Sequence, residues 1–113
     1  MAKRGVIVAV VKEGCEDKVA EIFAQSDATE LPKVMGVKHR SLFALKDIYV
    51  HYVEMEDDFE ESVEGFRDHP LFRDISKKLQ PYIRAYNRWW ESPKDAVARE
   101  FYSWDAPSTK SAD

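Results

Sequence analysis

The segment from Val6 to Val11 constrains the fold of this 113-residue chain more than any other. All six of its residues are apolar and five are β-branched, and the run is bounded by Gly5 and by Lys12-Glu13-Gly14. Such a run predicts a β-strand. Because residues of both parities are apolar, we expect both faces of this strand to be buried.

An amphipathic helix is predicted directly after this strand. Val19, Ile22 and Phe23 recur at helical spacing, and the positions opposite them are charged or polar. This pattern predicts a helix of roughly three turns whose apolar side lies on another element.

A β-hairpin is predicted in the middle of the chain. The segments Val34–Leu45 and Ile48–Glu56 both read as extended, and Lys46-Asp47 between them is predicted to form a two-residue turn. With that turn, residues whose numbers add to 93 lie opposite each other, so Leu42 faces His51 and Arg40 faces Val53.

Two helices are predicted after the hairpin. Asp58 followed by Glu61 resembles a capping box, and Val63 and Phe66 lie on the apolar side of the helix that it opens. A further helix is predicted to begin at His69-Pro70, because proline is favoured in the first helical turn. Its inner side is marked by three apolar residues and Pro81 closes it: Leu71, Ile75 and Leu79.

The aromatic-rich segment 82–90 has no clear pattern, and a last short strand is predicted at Glu100–Trp104. The element order is that of a ferredoxin-like α+β fold, an antiparallel sheet with helices on one face. We expect a single domain over residues 1–107 and a disordered tail over residues 108–113. Since the helices cover one face only, the other face is expected to meet the same sheet of a second copy, forming a homodimer with the shape of an α+β barrel.

Composition excludes several classes of function. The chain has 17 Lys and Arg against 21 Asp and Glu, a net charge of −4, which argues against binding to nucleic acid. An apolar run of about 18 residues, as a membrane span requires, is absent from the sequence. The one cysteine, Cys15, cannot form an internal disulfide, so a cytoplasmic location is expected.

The hairpin register brings together residues that are able to carry chemistry. Arg40, Leu42, Tyr49, His51 and Val53 are predicted to share one face of the sheet, with the Cα atoms of Arg40 and His51 about 7–8 Å apart. A slip of one residue in the turn would place Arg40 and His51 on opposite faces.

Asp27 lies one helical turn after Phe23, on the side of the first helix that is predicted to pack. If that helix covers this face, an acid, a cation and an imidazole converge on one apolar space. Alone, the histidine is more often a hydrogen-bonded core or edge residue, and the acid and the arginine a solvated charge or a salt bridge. Together they are equally consistent with a functional site or with such structural roles. The three histidines, at positions 39, 51 and 69, lack the compact spacing of metal ligands, so no metal is expected.

At these positions the sequence resembles the tetracenomycin-type aromatic polyketide cyclases. The resemblance extends over roughly residues 1–107 and rests on five short motifs in a fixed order: Asp27-x-Thr29-Glu30-Leu31-Pro32, Gly36-Val37-x-x-Arg40-x-Leu42-Phe43, Asp47-x-Tyr49-x-His51, His69-Pro70-Leu71-Phe72, and Phe101-Tyr102-Ser103-Trp104 with Ala106-Pro107. It implies a ferredoxin-like dimer that cyclises a poly-β-ketone, or a partly cyclised intermediate, without a metal or organic cofactor. Polyketide synthase components are further candidate partners.

The resemblance also implies which residues form the site. The acidic, arginine and histidine positions of the family correspond to Asp27, Arg40 and His51. Family members carry a histidine where this chain has Ser26, so a role of that histidine does not carry over. The expected substrate-binding residues are mostly apolar: Phe23, Ser26, Leu42, Tyr49, Val53 and Phe66.

The expected reaction is an intramolecular aldol-type ring closure followed by loss of water. Arg40 would stabilise the developing oxyanion. His51, with an ordinary pKa near ~6.5, would act as general base or acid, and Asp27 would orient the imidazole or share a proton at the carbonyl. In a second version the protein acts mainly as a mould for the substrate. The rival functions are a cofactor-free anthrone-type monooxygenase of the same architecture and a non-catalytic binder of aromatic ligands.

Overall fold

A computed structural model describes residues 3–85 and 96–107 of the chain. The described residues form four strands and four helices in this order: β1 Lys3–Val11, α1 Glu16–Asp27, α2 Leu31–Met35, β2 Val37–Leu45, β3 Ile48–Met55, α3 Phe59–Phe66, α4 Pro70–Leu79 and β4 Ile83–Arg84. The strands form one antiparallel sheet in the order β2-β3-β1-β4. The predicted ferredoxin-like α+β fold is therefore confirmed.

The hairpin forms in the predicted register. Leu42 lies opposite His51, and Arg40 lies opposite Val53. The turn contains no glycine, and Lys46 takes the positive φ of 56° that this geometry demands. An irregularity between Val37 and His39 interrupts the pairing only at the start of β2.

The inner face of the sheet and the helices enclose the hydrophobic core. Alternate residues of β3 are buried in this core, and so are the odd-numbered residues Ala9 and Val11 of β1. Val6, Val8 and Val10 of β1 are half-buried on the outer face in the single chain. Helices α3 and α4 begin at the predicted caps: the Asp58 carboxylate accepts from the backbone N–H of Glu61, and Nδ1 of His69 accepts from that of Leu71.

The short helix α2 differs from the prediction, because Val34 and Met35 were expected to begin a strand. The Thr29 hydroxyl oxygen accepts a hydrogen bond from the backbone N–H of Leu31 at the start of α2. Gly36 ends α2 with a left-handed φ of 79°, so β2 begins only at Val37. A single helical turn between these two signals is too short to produce a visible periodicity.

Gly36 and Gly65 form a matched pair for testing this helix end. A residue with a side chain at position 36 would have to keep the left-handed backbone conformation of Gly36, which only glycine adopts without strain. Gly36→Ala is therefore expected to lower the free energy of unfolding by about 1–2 kcal/mol. Gly65 lies within α3 without positive φ or nearby atoms, so Gly65→Ala is expected to raise it by about 0.5–1 kcal/mol. Urea-induced unfolding measures the free energy of unfolding of both variants. A Gly36→Ala variant as stable as the wild type would contradict the strain expected at this helix end.

The last strand also differs from the prediction. The sheet is completed by β4, where Ile83 pairs with Val11 and Arg84 with Val10. The predicted strand at Glu100–Trp104 has no regular secondary structure. Instead the chain returns to β1 at Val97, which forms an isolated bridge with Ile7, and at Ala98, whose backbone N–H donates to the carbonyl of Val6 at 2.7 Å.

Some expectations lie outside the described residues, namely most of the aromatic-rich segment and the disordered tail at 108–113. The single domain over residues 1–107 stays a prediction. Within residues 3–85 and 96–107, no helix has the length and apolar character needed to cross a membrane.

Candidate active site

A cavity of about 290 Å³ lies between the inner face of the sheet and the helices. This volume is at the lower end of the range of about 300–1,000 Å³ that is usual for small-molecule sites. Most of its wall is apolar, and the polar side chains that line it are few: Ser26, Arg40, Tyr49, His51, Ser76 and Gln80. The described lining therefore contains one cationic group and no carboxylate.

Arg40 is the centre of the polar part of the site. Its Nε donates to Oδ2 of Asp27 at 3.1 Å, and its Nη2 donates to Oδ1 of the same carboxylate at 2.9 Å. Its Nη1 lies 2.9 Å from Nε2 of His51. A guanidinium has five N–H donors, so these three contacts leave two donors for a ligand.

The guanidinium is held in a partly dehydrated position. The Arg40 side chain is 17% exposed and the Asp27 side chain 38% exposed. The guanidinium carbon lies 5.0 Å from the centre of the Phe23 ring, a distance at which the face of the ring attracts the cation. Two hydrogen-bonded partners and an aromatic face fix the cation at the cavity wall.

His51 is buried and uncharged at neutral pH. Its ring packs edge-on against Phe23, with the ring centres 5.0 Å apart. Burial, together with the positive charge of Arg40, lowers the pKa of His51 to about 3. Because Arg40 only donates hydrogen bonds, Nε2 is the acceptor and the ring proton lies on Nδ1.

The arrangement corrects two expected roles. Asp27 was expected to orient the imidazole, but both of its oxygens bind Arg40, which lies between Asp27 and His51. Asp27 also does not line the cavity. His51 was expected to act as general base or acid, but burial next to the Arg40 cation lowers its pKa to about 3 and makes it a weak base.

The structure brings together four of the six residues expected to bind substrate. Phe23, Ser26, Tyr49 and Val53 line the cavity. Leu42 and Phe66 are partly buried against the hydrophobic core and do not line it. The alternation of side chains along β2 correctly placed Leu42 on the inner face of the sheet. It does not show how far along the strand the cavity extends, so it did not reveal that Leu42 lies outside the lining.

Helix α4 contributes a wall of the cavity that was not predicted from the sequence. Phe72, Ile75, Ser76 and Leu79 all line the cavity. Their spacing follows the apolar side already recognised for this helix, so extending that pattern to Phe72 and Ser76 would have found them.

Residues 3–85 and 96–107 contain no group of three or more His, Cys, Asp or Glu side chains placed to hold a metal ion. That the protein needs no metal or organic cofactor stays a prediction.

The chain is similar to known proteins along almost its whole length. The family model described as polyketide synthesis cyclase matches residues 3–105. Tetracenomycin F2 cyclase from Streptomyces glaucescens is 39% identical over 109 residues, which cover 96% of this chain and 100% of that protein. Polyketide synthase CurG from Streptomyces cyaneus is 39% identical over 101 residues, covering 88% of this chain and 94% of the relative.

The fold is similar to that of a solved structure. The structure of tetracenomycin F2 cyclase from Streptomyces glaucescens, described as a type-II polyketide cyclase, superposes with a TM-score of 0.88 at 40% identity. The match covers 94% of this chain and 100% of that chain.

Proposed function

The chain belongs to the polyketide synthesis cyclase family, and we propose that it closes a ring of an aromatic polyketide by aldol chemistry followed by loss of water. The protein is an enzyme, an aromatic polyketide cyclase. The aldol step rests on one observation: a guanidinium is fixed at the wall of an apolar cavity, and two of its five donors are not used by the described residues.

The proposed substrate is a poly-β-ketone or a partly cyclised intermediate. Such a chain is flexible, and ring closure requires two particular carbon atoms to meet. A shaped cavity removes much of this entropic barrier, up to about 7–11 kcal/mol in well-oriented intramolecular reactions. The apolar wall formed by Phe23, Val53 and Phe72 is suited to holding a folded polyketide.

The ring closure begins when a methylene group between two carbonyls loses a proton. Both carbonyls share the resulting negative charge, and a guanidinium N–H at one of these oxygens stabilises it further. The enolate carbon then attacks another carbonyl of the same chain, and Arg40 stabilises the oxyanion or the enolate that it contacts. Loss of water follows because the new double bond extends the conjugated system.

Arg40 is the catalytic residue in this proposal, and Asp27 and His51 are positioning residues that hold it. The imidazole is a weak base, because its pKa is about 3 and its Nε2 already accepts from Arg40. Since the described cavity wall carries no carboxylate, we assign the proton to a water molecule. The site therefore favours the version in which the cavity shapes the substrate and the Arg40 charge stabilises the anion, over general acid–base catalysis by a side chain.

The product profile of a minimal polyketide synthase, with and without this protein, tests the proposed function. A new, defined ring pattern supports the cyclase reaction, and an unchanged mixture of spontaneously cyclised products contradicts it. The same reaction under nitrogen identifies the rival activity, because a monooxygenase acting on an anthrone consumes oxygen and an aldol cyclase does not.

We also propose that the protein is a homodimer whose two sheets meet through their outer faces. The outer face carries Val8 and Val50 at its centre, and Phe43 opposite Val50 is 58% exposed. Exposed aromatic residues also follow the bridge at Val97: Phe101, Tyr102 and Trp104. A two-fold axis would pair these patches with themselves and remove them from water.

Phe43→Glu is expected to shift the protein from dimer to monomer. A charge at this position would lie in the buried interface without a partner. Sedimentation velocity at micromolar protein should give twice the chain mass of 13.1 kDa for the wild type and a reduced mass for the variant. Val34→Glu is the control, because Val34 is exposed on α2, away from the outer face. A monomeric wild type would refute the proposed dimer.

Polyketide synthase components are proposed as further partners, and the similarity to a protein named polyketide synthase CurG supports this. The cytoplasmic location expected from the single cysteine stays a prediction.

A further inference from the structure

The hydroxyl group of Tyr49 has no part in the mechanism above. The side chain lies on the inner face of β3, is only 5% exposed and lines the cavity together with Arg40 and His51. Its partners on the two neighbouring strands are Ala9 and Ala44. These alanines present only methyl groups, which leave room for the ring and offer its hydroxyl no acceptor.

Among the described residues, the Tyr49 hydroxyl makes no hydrogen bond. The other tyrosine of β3 differs, since the hydroxyl of Tyr52 donates to Oε2 of Glu54 at 2.6 Å. A buried hydroxyl without a partner destabilises a protein, and phenylalanine would fill the same space without that cost. A tyrosine at this position is explained if the polar partner comes from a ligand.

The phenol is suited to donating to a ligand oxygen. Burial raises the pKa of Tyr49 above its ordinary value, although the positive charge of Arg40 partly opposes this shift. The group therefore remains a neutral donor at physiological pH. The Cα atoms of Tyr49 and His51 are about 7 Å apart along β3. Because Arg40 is bonded to His51, the Tyr49 hydroxyl and the Arg40 guanidinium are separate donors in one cavity.

We propose that Tyr49 is a specificity-determining residue, whose hydroxyl donates a hydrogen bond to a second oxygen of the polyketide while Arg40 binds the first. This inference rests on the proposed function. Oxygens recur on every second carbon of a poly-β-ketone, so one donor alone accepts the chain in several registers. Two donors at a fixed separation select one register, and the register decides which carbon atoms form the ring.

Tyr49→Phe tests this inference in the reaction with the minimal polyketide synthase. The variant is expected to lower the ratio of the defined ring product to other cyclised products by about tenfold, the effect of losing one neutral hydrogen bond. Its melting temperature should equal or exceed that of the wild type, because the hydroxyl has no protein partner to lose. Tyr52→Phe is the matched control, since it removes a hydroxyl from the outer face of the same strand and should keep the wild-type ratio.

The possible outcomes separate the inference from the proposed function. A wild-type product ratio in Tyr49→Phe would overturn the role of Tyr49 and leave the cyclase reaction intact. A lower melting temperature with all products reduced in proportion would show a structural role and would also overturn it. If the wild-type protein itself leaves the product mixture unchanged, the proposed function fails and the inference fails with it.

Discussion

Arg40→Ala is expected to slow formation of the defined ring product by about 10²–10³-fold. This is the usual cost of removing a fixed donor that stabilises an oxyanion. Arg40 is the cation that lines the described cavity, and neither Ser26 nor Ser76 replaces its charge. The measurement is the initial rate of product formation, with the polyketide supplied by the minimal synthase at equal protein concentrations.

Two further variants sharpen the interpretation. Arg40→Lys keeps the charge but cannot bind both oxygens of Asp27 and His51 together, so an intermediate rate is expected. Arg67→Ala is the control, because it removes an exposed arginine that pairs with Glu64 on the surface. A loss of less than tenfold in Arg40→Ala would mean that the cavity shape alone supplies the catalysis.

The sequence predicted the part of the site that depends on backbone register. The two-residue turn at Lys46-Asp47 fixes which residues of the hairpin share a face, and so it predicted that Arg40 and His51 are neighbours. The helical spacing of Phe23 then placed Asp27 beside them. These steps needed only the periods of strand and helix and the length of the turn, because a turn longer or shorter by one residue would have placed Arg40 and His51 on opposite faces.

The elements that the sequence did not predict are those formed by few residues. The two-residue strand β4 is too short for any periodicity, and it forms because Val10 and Val11 offer an unpaired edge of the sheet. Glu100–Trp104 has the composition of a strand, but no regular secondary structure forms there, and Arg4 of β1 bonds to the side chains of Glu100 and Ser103.

The order of the three polar side chains was likewise not predictable from spacing. Backbone register brings Asp27, Arg40 and His51 together but does not say which one lies in the middle. Arg40 takes that place because its side chain is long and carries donors on both sides, whereas the other two present acceptors. That order turns the expected acid–base pair into two supports for a cation.

The stability of the protein is expected to depend on the protonation of His51. The pKa is about 3 in the folded protein and about 6.5 in an unfolded chain, so between these values the unfolded state binds the proton more tightly. The neutral form of His51 therefore makes its full contribution to the free energy of unfolding above about pH 6.5, and this contribution is lost as the pH falls toward 3. Within this window the free energy of unfolding should fall by up to about 1.4 kcal/mol per pH unit from this group alone.

His51→Gln isolates that contribution, because the amide oxygen still accepts from Arg40 but does not titrate. Urea-induced unfolding at pH 7, 6, 5 and 4, at one protein concentration, should show a shallower decline for this variant than for the wild type. Equal slopes for the wild type and His51→Gln would mean that the imidazole accepts a proton in the folded state. His51 would then be a candidate for the acid–base role that the present geometry assigns to water.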